Sequence, residues 1–213
     1  MTRPTTTGKA QDLITFTRST TGTALAKISY GEELVTNGTF DSNLSGWSGA
    51  GWVWSNGKAY DSGASVTQGL EQILTTVSDR IYVIEYTLSG ISGGTPSLKF
   101  EDQTVATHPT DVTNGRVIVR AATINSKVEF IGGGATFSVD NVSVKEVSFD
   151  QPDGTLQLFN HPINKPRIEY DASGNCLGLL VEEARTNVLT RSNEFLTAPW
   201  NGDAEIVASS IPS

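Results

Sequence analysis

Cysteine, histidine and clustered positive charge are scarce in this chain, and each shortage excludes a class of protein. The 213 residues contain 1 cysteine, Cys176, so the fold cannot depend on an internal disulfide or on an oxidising compartment. The 2 histidines, His108 and His161, each precede a proline, and no catalytic triad or metal-ligand spacing surrounds them. The sequence therefore predicts a protein that is not an enzyme.

Basic residues are outnumbered and scattered along the chain. Lysine and arginine total 15 against 23 aspartates and glutamates, which gives a formal net charge of −8. A phosphate backbone is bound by a concentrated positive surface, so nucleic acid is not expected as a partner. The acidic balance suits divalent cations or neutral ligands instead.

Long apolar runs are also missing. No stretch approaches the roughly 20 apolar residues of a membrane-spanning helix. The polar segment Met1–Gly8 lacks the hydrophobic core of a signal peptide. We expect that the chain does not insert into a membrane and that it is made in the cytoplasm. Any role outside the cell would then follow cell lysis.

Turn-forming residues and short apolar runs make up most of the chain. Threonine, serine, asparagine and 21 glycines separate short runs of aliphatic and aromatic residues, and no helical apolar stripe occurs. The sequence predicts an all-β fold, in which residues 33–147 form one two-sheet module of about nine strands. Its predicted strands are a hairpin over 51–60 that turns at Asn56-Gly57, and segments 65–74, 80–88, 97–100, 116–121, 127–131 and 136–144.

The segments on either side of this module belong to a second pattern that the module interrupts. Residues 1–11 are predicted to be a flexible or partner-ordered arm, and residues 192–213 the start of a further module or a C-terminal tail. Residues 12–32 and 148–191 are predicted to form one split, β-rich platform. Its predicted elements are a polar turn at 19–23 and short strands at 12–18, 157–159, 167–170 and 176–181. The first and last strands of a sandwich pair side by side, so its ends fit into a host loop.

Four segments of the module occur in a recognisable order. They are Leu34-Val-Thr-Asn-Gly-Thr-Phe40, Gly46-Trp47, Gly57-Lys-Ala59 and Phe137-Ser-Val-Asp-Asn-Val-Ser-Val144. Together they resemble carbohydrate-binding-module-like jelly rolls of the group related to families 4, 9, 16 and 22. The resemblance implies a jelly-roll β-sandwich over residues 33–147, in a group that includes both sugar binders and purely structural domains.

The same resemblance implies a structural calcium ion. Asp140 matches the family's aspartate near the end of the module, while Thr39 and Asp41 lie in the matching opening segment. These residues offer the hard oxygen ligands that calcium takes. The alternative is that Asp140 caps a turn or accepts backbone hydrogen bonds.

Aromatic side chains are the candidates for stacking on sugar rings. Tyr60 and Trp54, together with Glu101 in a loop segment, are the predicted glycan contacts. Trp52 and Trp54 share one strand face, and Trp47 lies where the end of the sandwich is normally plugged. For these tryptophans burial in the core is the alternative that the pattern favours.

A second set of segments flanks the module. They are Phe16-Thr-Arg-Ser19, Pro166-Arg-Ile-Glu-Tyr-Asp171, Gly178-Leu-Leu-Val-Glu-Glu-Ala-Arg-Thr-Asn187 and Ser192-Asn-Glu-Phe195 with Pro199-Trp200. This string resembles a motif of bacteriophage tail and virion-appendage proteins, in which a short hairpin joins the halves that residues 24–164 separate here. An assembly role through ion pairs or loop caps, rather than an ordinary charged bend, is implied for Glu182, Glu183, Arg185 and Asn187.

The two resemblances together imply a phage virion structural protein, part of a tail fibre, baseplate or similar appendage. On the virion it would contact other virion proteins, form a homotrimer and display the jelly roll toward host-surface polysaccharide. Two alternatives stay open: the non-catalytic N-terminal part of a tail-associated depolymerase, and a capsid decoration or head-fibre protein.

Overall fold

Every regular element in the described part of the chain is a β-strand. The structure, a computed structural model, describes residues 22–63, 68–151, 153–163 and 167–179. Its strands are β1 (Gly22–Glu33), β2 (Trp52–Ser55), β3 (Lys58–Ser62), β4 (Leu70–Ile73), β5 (Ile81–Ser92), β6 (Ser97–Phe100), β7 (Gln103–Thr107), β8 (Val112–Arg120), β9 (Lys127–Ile131), β10 (Thr136–Phe149), β11 (Thr155–His161), β12 (Ile168–Tyr170) and β13 (Cys176–Leu179). Within these ranges no helix is long and apolar enough to cross a membrane.

Two antiparallel sheets contain most of these strands. The larger, seven-stranded sheet has the order β11-β1-β10-β3-β2, and it is extended by β5, which pairs with β10, and by β8, which pairs with β5. The smaller, four-stranded sheet has the order β4-β9-β6-β7, and β12 and β13 form a separate hairpin. The predicted all-β class with a jelly-roll sandwich is therefore confirmed.

The core between the two sheets is made by alternating residues of their strands. Side chains point to opposite faces at successive positions, so one face of each strand faces the core. Leu88 and Val139 of the larger sheet are buried in the same cluster as Leu98 and Phe130 of the smaller one. This burial fixes the register of each strand, because a one-residue slip would move every core side chain to the opposite face.

Strand β10 connects the parts of the larger sheet, since it pairs with β5 along one edge and with β3 and β1 along the other. A bulge at Asn141, with φ 52°, interrupts its pairing with β5 and bends the strand. The carboxylate of Glu33 holds this bend by accepting the N–H groups of Val144 at 2.8 Å and Val35 at 3.0 Å, and the hydroxyl of Ser143.

The larger sheet has a second apolar cluster on its outer face. Its buried members are Ala26, Ile28, Ile81, Val83, Val147, Phe149 and Phe159, from β1, β5, β10 and β11. Strands of the predicted platform and of the predicted module therefore share one sheet and one cluster. The predicted boundaries at 33 and 147 fall within β1 and β10, and the division into domains stays a prediction.

The predicted strand pattern is confirmed in part. Strands β6 and β9 begin and end where the sequence places them, and the hairpin of β2 and β3 turns at Asn56-Gly57 with φ 51° and 75°, as a type I′ turn requires. The predicted turn at 19–23 is wrong at its last two residues, because β1 begins at Gly22. Strand β7 was not predicted, and the strand predicted at 12–18 lies outside the described residues.

Candidate functional site

The outer face of the larger sheet carries a row of exposed and half-buried side chains across four strands. Partners in an antiparallel ladder share a face, so the row follows from the register. Val53 of β2 lies opposite Tyr60 of β3, Tyr60 opposite Ser138 of β10, and Ser138 opposite Ser89 of β5. The polar face, as this surface is called below, comprises Lys58, Tyr60, Thr87, Ser89, Ser138 and Asp140.

Tyr60 is the aromatic residue of this face. Its ring is half-buried, and its hydroxyl forms no hydrogen bond to another described residue. Beside it, the Nζ of Lys58 donates to the Oγ of Ser89 at 3.1 Å. A flat ring flanked by hydroxyl and ammonium groups has the chemistry to stack on a sugar and to hydrogen-bond its hydroxyls.

The next row of the polar face is formed by Asp140 and Thr87, which lie opposite each other on β10 and β5. The Oδ1 of Asp140 accepts the N–H of Asn141 at 2.7 Å, at the bulge. The hydroxyl of Thr87 donates to the carbonyl of Thr113 at 3.1 Å. Both side chains are therefore held in place at the surface by backbone groups.

A cavity of about 300 Å³ opens beside this row, and it is called the end cavity below. It is lined by Glu85, Tyr86, Thr87, Thr113, Asn114, Gly115, Arg116 and Asn141. A Cβ added at Gly115 would come within 2.5 Å of the ring of Tyr86, so only glycine fits against this ring. The lining offers hydroxyl, amide, carboxylate and guanidinium groups, and it lies beside the hydrogen-bonding groups of the polar face.

The floor of the end cavity is supported by the buried ring of Tyr86 and the half-buried ring of His108. The hydroxyl of Tyr86 lies 2.7 Å from Nε2 of His108. Burial raises the pKa of Tyr86 to about 12, so the tyrosine keeps its proton at neutral pH. The imidazole tautomer sets which of the two groups donates this hydrogen bond. Burial also lowers the pKa of His108, and both groups are neutral at pH 7.

Arg116 closes one side of the end cavity and is held by three contacts. Its guanidinium forms an ion pair with Glu85 at 3.3 Å and donates to the hydroxyl of Tyr30 on β1 at 2.9 Å. The same guanidinium lies 5.5 Å above the ring of Phe159 on β11, a cation–π geometry. We call these contacts to Tyr30 and Phe159 the Arg116 bridge.

The three predicted glycan contacts are not brought together. Tyr60 lies on the polar face, whereas Trp54 lies opposite Ala59 and so points to the other side of the sheet. Trp54 is 44% exposed at the sheet edge, and its indole N–H donates to the carbonyl of Phe40 at 2.6 Å. Glu101 lies in the turn between β6 and β7, on the smaller sheet.

Trp47 and Trp52 are buried, as the sequence favours, whereas the same expectation is wrong for Trp54, which is exposed at the sheet edge. Trp52 contacts Phe137 edge-on, with ring centroids 5.2 Å apart, and the N–H of Trp47 donates to the carbonyl of Thr36 at 3.0 Å. Both tryptophans therefore fill the core of the sandwich.

The predicted calcium ligands are only partly close together. The hydroxyl of Thr39 donates to Asp41 at 3.1 Å, and the loop that contains them meets β10 where the N–H of Val142 donates to the carbonyl of Gly38 at 2.9 Å. Among the described residues no group of three or more acidic, histidine or cysteine side chains is arranged to hold a metal ion. Calcium at this place stays a prediction.

The predicted assembly residues Glu182, Glu183, Arg185 and Asn187 lie outside the described residues. The preceding hairpin of β12 and β13 is described, and Tyr170 within it donates its hydroxyl to Asp150 at the end of β10. The role of the four residues stays a prediction.

The sequence did not identify Asn114, Gly115 and Arg116 as site residues. They belong to a strand that was predicted to begin only at Arg116 and in fact begins at Val112. Asn114-Gly115 is a dipeptide that usually indicates a tight turn, yet here it lies inside β8, and nothing near Arg116 indicates that it contacts β1 and β11. Only the folded sheet brings this segment beside Glu85 and Tyr86 of β5 and Asn141 of β10.

Comparisons with known proteins concern the fold alone. No family model matches the sequence, and no curated protein does. Among solved structures, the chain is similar to the CBM22-1 and GH10 modules of xylanase 10B from Clostridium thermocellum, complexed with xylohexaose: identity is 16%, the TM-score is 0.42, and the match covers 54% of this chain but only 28% of that one. It is also similar to a structure described as "CBM4 structure and function", with 15% identity, a TM-score of 0.38, and 53% and 99% of the two chains covered. These neighbours are carbohydrate-binding modules of the jelly-roll kind.

Proposed function

We propose that this chain is a non-catalytic glycan-binding protein of a phage virion appendage, and that the polar face and the end cavity bind host-surface polysaccharide. The observation that carries the proposal is the row through Tyr60, Ser138 and Ser89, continuous with a polar cavity of about 300 Å³. A sugar needs an apolar ring to stack on and several fixed polar groups to recognise its hydroxyls, and this surface supplies both.

The charges of this surface are balanced, which favours a glycan without strong net charge. Lys58 and Arg116 contribute positive charge, while Glu85 and Asp140 contribute negative charge. The whole chain has a formal net charge of −8, so a strongly acidic polysaccharide would be repelled over the rest of the surface. A neutral or zwitterionic polymer therefore suits the site best.

The virion setting is supported by the sequence string that flanks the module. Shallow sugar sites bind weakly one at a time, so display of several copies on one particle would raise the overall avidity. A homotrimer attached to other virion proteins in a tail fibre or baseplate would provide such display.

The test is binding of the labelled, purified chain to host cells that carry or lack their surface polysaccharide. The proposal expects binding only to the cells that carry it, and Tyr60→Ala should weaken binding about tenfold, as loss of an aromatic contact worth about 1.4 kcal/mol implies. Ile73→Ala is the matched control, since Ile73 is 69% exposed on the smaller sheet, away from the polar face.

Equal binding to both kinds of cell, or none to either, would refute glycan recognition. The variants Trp54→Ala and Glu101→Ala examine the two predicted contacts that lie elsewhere. Loss of binding in either of them, with Tyr60→Ala unaffected, would move the site from the polar face to the sheet edge or to the smaller sheet.

A further inference from the structure

The outer face of the larger sheet changes from polar to apolar along its strands. On β10, Ser138 and Asp140 are followed on the same face by Ser143 and Lys145 and then by Val147 and Phe149 of the second apolar cluster. On β5, Thr87 and Glu85 give way in the same direction to Val83. A glycan lying along the strands can therefore extend only as far as this transition before it meets buried apolar side chains.

The Arg116 bridge stands at this transition and spans the sheet. Arg116 lies on β8 and Phe159 on β11, the two edge strands of the sequence β8-β5-β10-β1-β11. In a flat sheet four strand spacings would separate them by about 19 Å. The guanidinium is nevertheless 5.5 Å from the ring of Phe159, because the two long side chains reach toward each other over the apolar cluster on the outer face of the curved sheet.

The bridge is also a wall of the end cavity, because the same Arg116 lines both. Its ion pair with Glu85 and its hydrogen bond with Tyr30 hold the guanidinium from two further directions. A side chain with three such contacts does not swing aside for a ligand without losing all of them. The cavity is therefore closed on the side of the bridge.

In the opposite direction the polar face is open. It continues across β3 to β2, where Val53 beside Tyr60 is 51% exposed. A bound chain has free passage over Tyr60 and none past Arg116. The surface is thus a groove with one open and one closed end.

From this geometry we propose that the site recognises the terminus of a glycan chain rather than an internal stretch. The inference rests on the glycan-binding function proposed above and narrows its ligand. The end cavity, at about 300 Å³, lies at the lower limit of small-molecule sites and holds about one or two sugar rings. The terminal residue occupies it, with Asn114 and Glu85 available to its hydroxyls, and the rest of the chain leaves over Tyr60.

The test uses polysaccharide extracted from the host cells that the chain binds, separated into fractions of different chain length. Binding sites per milligram are measured by titration with the purified chain. End recognition predicts that they fall in inverse proportion to chain length, because shorter fractions contain more termini per milligram. Recognition of internal stretches predicts a constant number per milligram, and that result would overturn the inference while leaving glycan binding intact.

Two variants locate the effect on the bridge. Arg116→Ala opens the wall and should shift the titration toward a constant number of sites per milligram, whereas Arg120→Ala should keep the inverse dependence. Arg120 is the matched control because it lies on the same strand and face, with an exposed ion pair to Asp79 at 2.6 Å. If Arg116→Ala fails to fold, the length series of the unmodified protein still decides the question.

Failure of the inference and failure of the proposed function remain distinct. Absence of binding to every fraction would refute the glycan-binding function itself, and the inference with it. If folded Arg116→Ala keeps the inverse dependence on chain length, the Arg116 bridge is not the cause of end recognition.

Discussion

Asp61 is a buried acid with one oxygen that lacks a partner. Only 1% of the residue is exposed, and its Oδ1 accepts the N–H of Gly63 at 2.9 Å, whereas Oδ2 forms no hydrogen bond to any of the described residues. Burial raises the pKa of this carboxyl, and the bond from Gly63 opposes the rise. The charged form is therefore poorly accommodated at neutral pH.

We predict that Asp61→Asn stabilises the protein at pH 7. Leaving a buried polar atom unsatisfied costs about 1–3 kcal/mol, and the amide removes the charge that makes this cost largest. A carboxyl whose folded pKa is raised favours folding fully below its unfolded value of 3.8, and this contribution is lost as pH rises through the folded pKa. The gain from the substitution should thus shrink as pH falls through that range, as measured by urea unfolding at several pH values.

The control for this prediction is Asp79→Asn. Asp79 forms an exposed ion pair with Arg120, and exposed pairs contribute about 0–1 kcal/mol. A lower stability of Asp61→Asn than of the unmodified protein at pH 7 would mean that the charged oxygen is solvated after all.

His108 makes the free energy of unfolding depend on pH in the opposite sense to Asp61. Burial lowers its pKa from 6.5, so the folded state binds fewer protons than the unfolded one between 6.5 and the lowered value. Its contribution is therefore present above pH 6.5 and is lost as pH falls through this window. We expect His108→Gln, whose side-chain amide can still hydrogen-bond to the hydroxyl of Tyr86, to unfold with a flatter dependence on pH; an unchanged slope would contradict this account.

The turn between β6 and β7 shows why an element can escape detection in the sequence. Phe100 pairs directly with Gln103, which leaves a two-residue turn with φ 51° at Glu101 and 63° at Asp102. Asparagine and glycine normally occupy these positions, and two acids at positive φ give no turn pattern. Side-chain contacts compensate, since Asp102 pairs with Lys127 at 2.9 Å.

The carboxylate of Glu101 makes more hydrogen bonds than that of Asp102, and it connects the turn between β6 and β7 to the loop between β8 and β9. Its carboxylate accepts the N–H groups of Ala122 at 3.0 Å and Thr123 at 2.9 Å, and the hydroxyls of Thr123 at 2.8 Å and Ser126 at 2.6 Å. Partial burial raises its pKa, but these hydrogen bonds outweigh burial, and the net pKa is lowered.

We predict that Glu101→Ala destabilises the protein by about 2 kcal/mol, in line with the loss of hydrogen bonds to a charged group. Because the folded pKa is lowered, the contribution of Glu101 is present above its unfolded value of 4.5 and is lost as pH falls through the folded pKa. Urea unfolding at neutral pH measures the effect. An undiminished stability would show that water replaces the carboxylate in this loop.

The strands that the sequence predicts well are those whose own residues favour strand structure. Val128, Phe130 and their neighbours alternate with polar residues, so β9 follows from local pattern. Strand β1 begins Gly-Thr-Ala-Leu-Ala-Lys, in which glycine, two alanines and lysine form strands poorly, and it gains its structure by pairing with β11 and β10. The site follows the same division. Tyr60 is recognisable as an aromatic strand residue, whereas Arg116 becomes a site residue only through its contacts with Tyr30 and Phe159, which are distant in the sequence.

For the molecule as a whole, calcium dependence separates two roles of Asp140. If the predicted structural ion binds, excess calcium should raise the free energy of unfolding, by about 2.7 kcal/mol at a concentration about 100-fold above Kd. A chelator should reverse this gain, and Asp140→Asn should abolish it, while Asp79→Asn should not. Thermal unfolding without any response to calcium would leave Asp140 as a residue that caps the bulge through the N–H of Asn141.

The predicted homotrimer has an equally direct measurement. Light scattering on the purified chain should give about three times its mass of 22.7 kDa, independent of concentration over the range used for cell binding. A monomer would mean that trimerisation, and the avidity expected from it, requires other virion proteins.

The pairing of β1 with β11 also determines how the molecule responds to mechanical load. Gly22 lies opposite His161, so a pull on the chain before β1 and after β11 acts on one end of this ladder. Its hydrogen bonds would then break one after another, as in a zipper, instead of together in shear. The ladder would therefore open at low force, through its seven registered pairs from Gly22–His161 to Ile28–Thr155, before the load acts on the core between the two sheets. The released residues would lengthen the chain and so keep the sandwich folded under load.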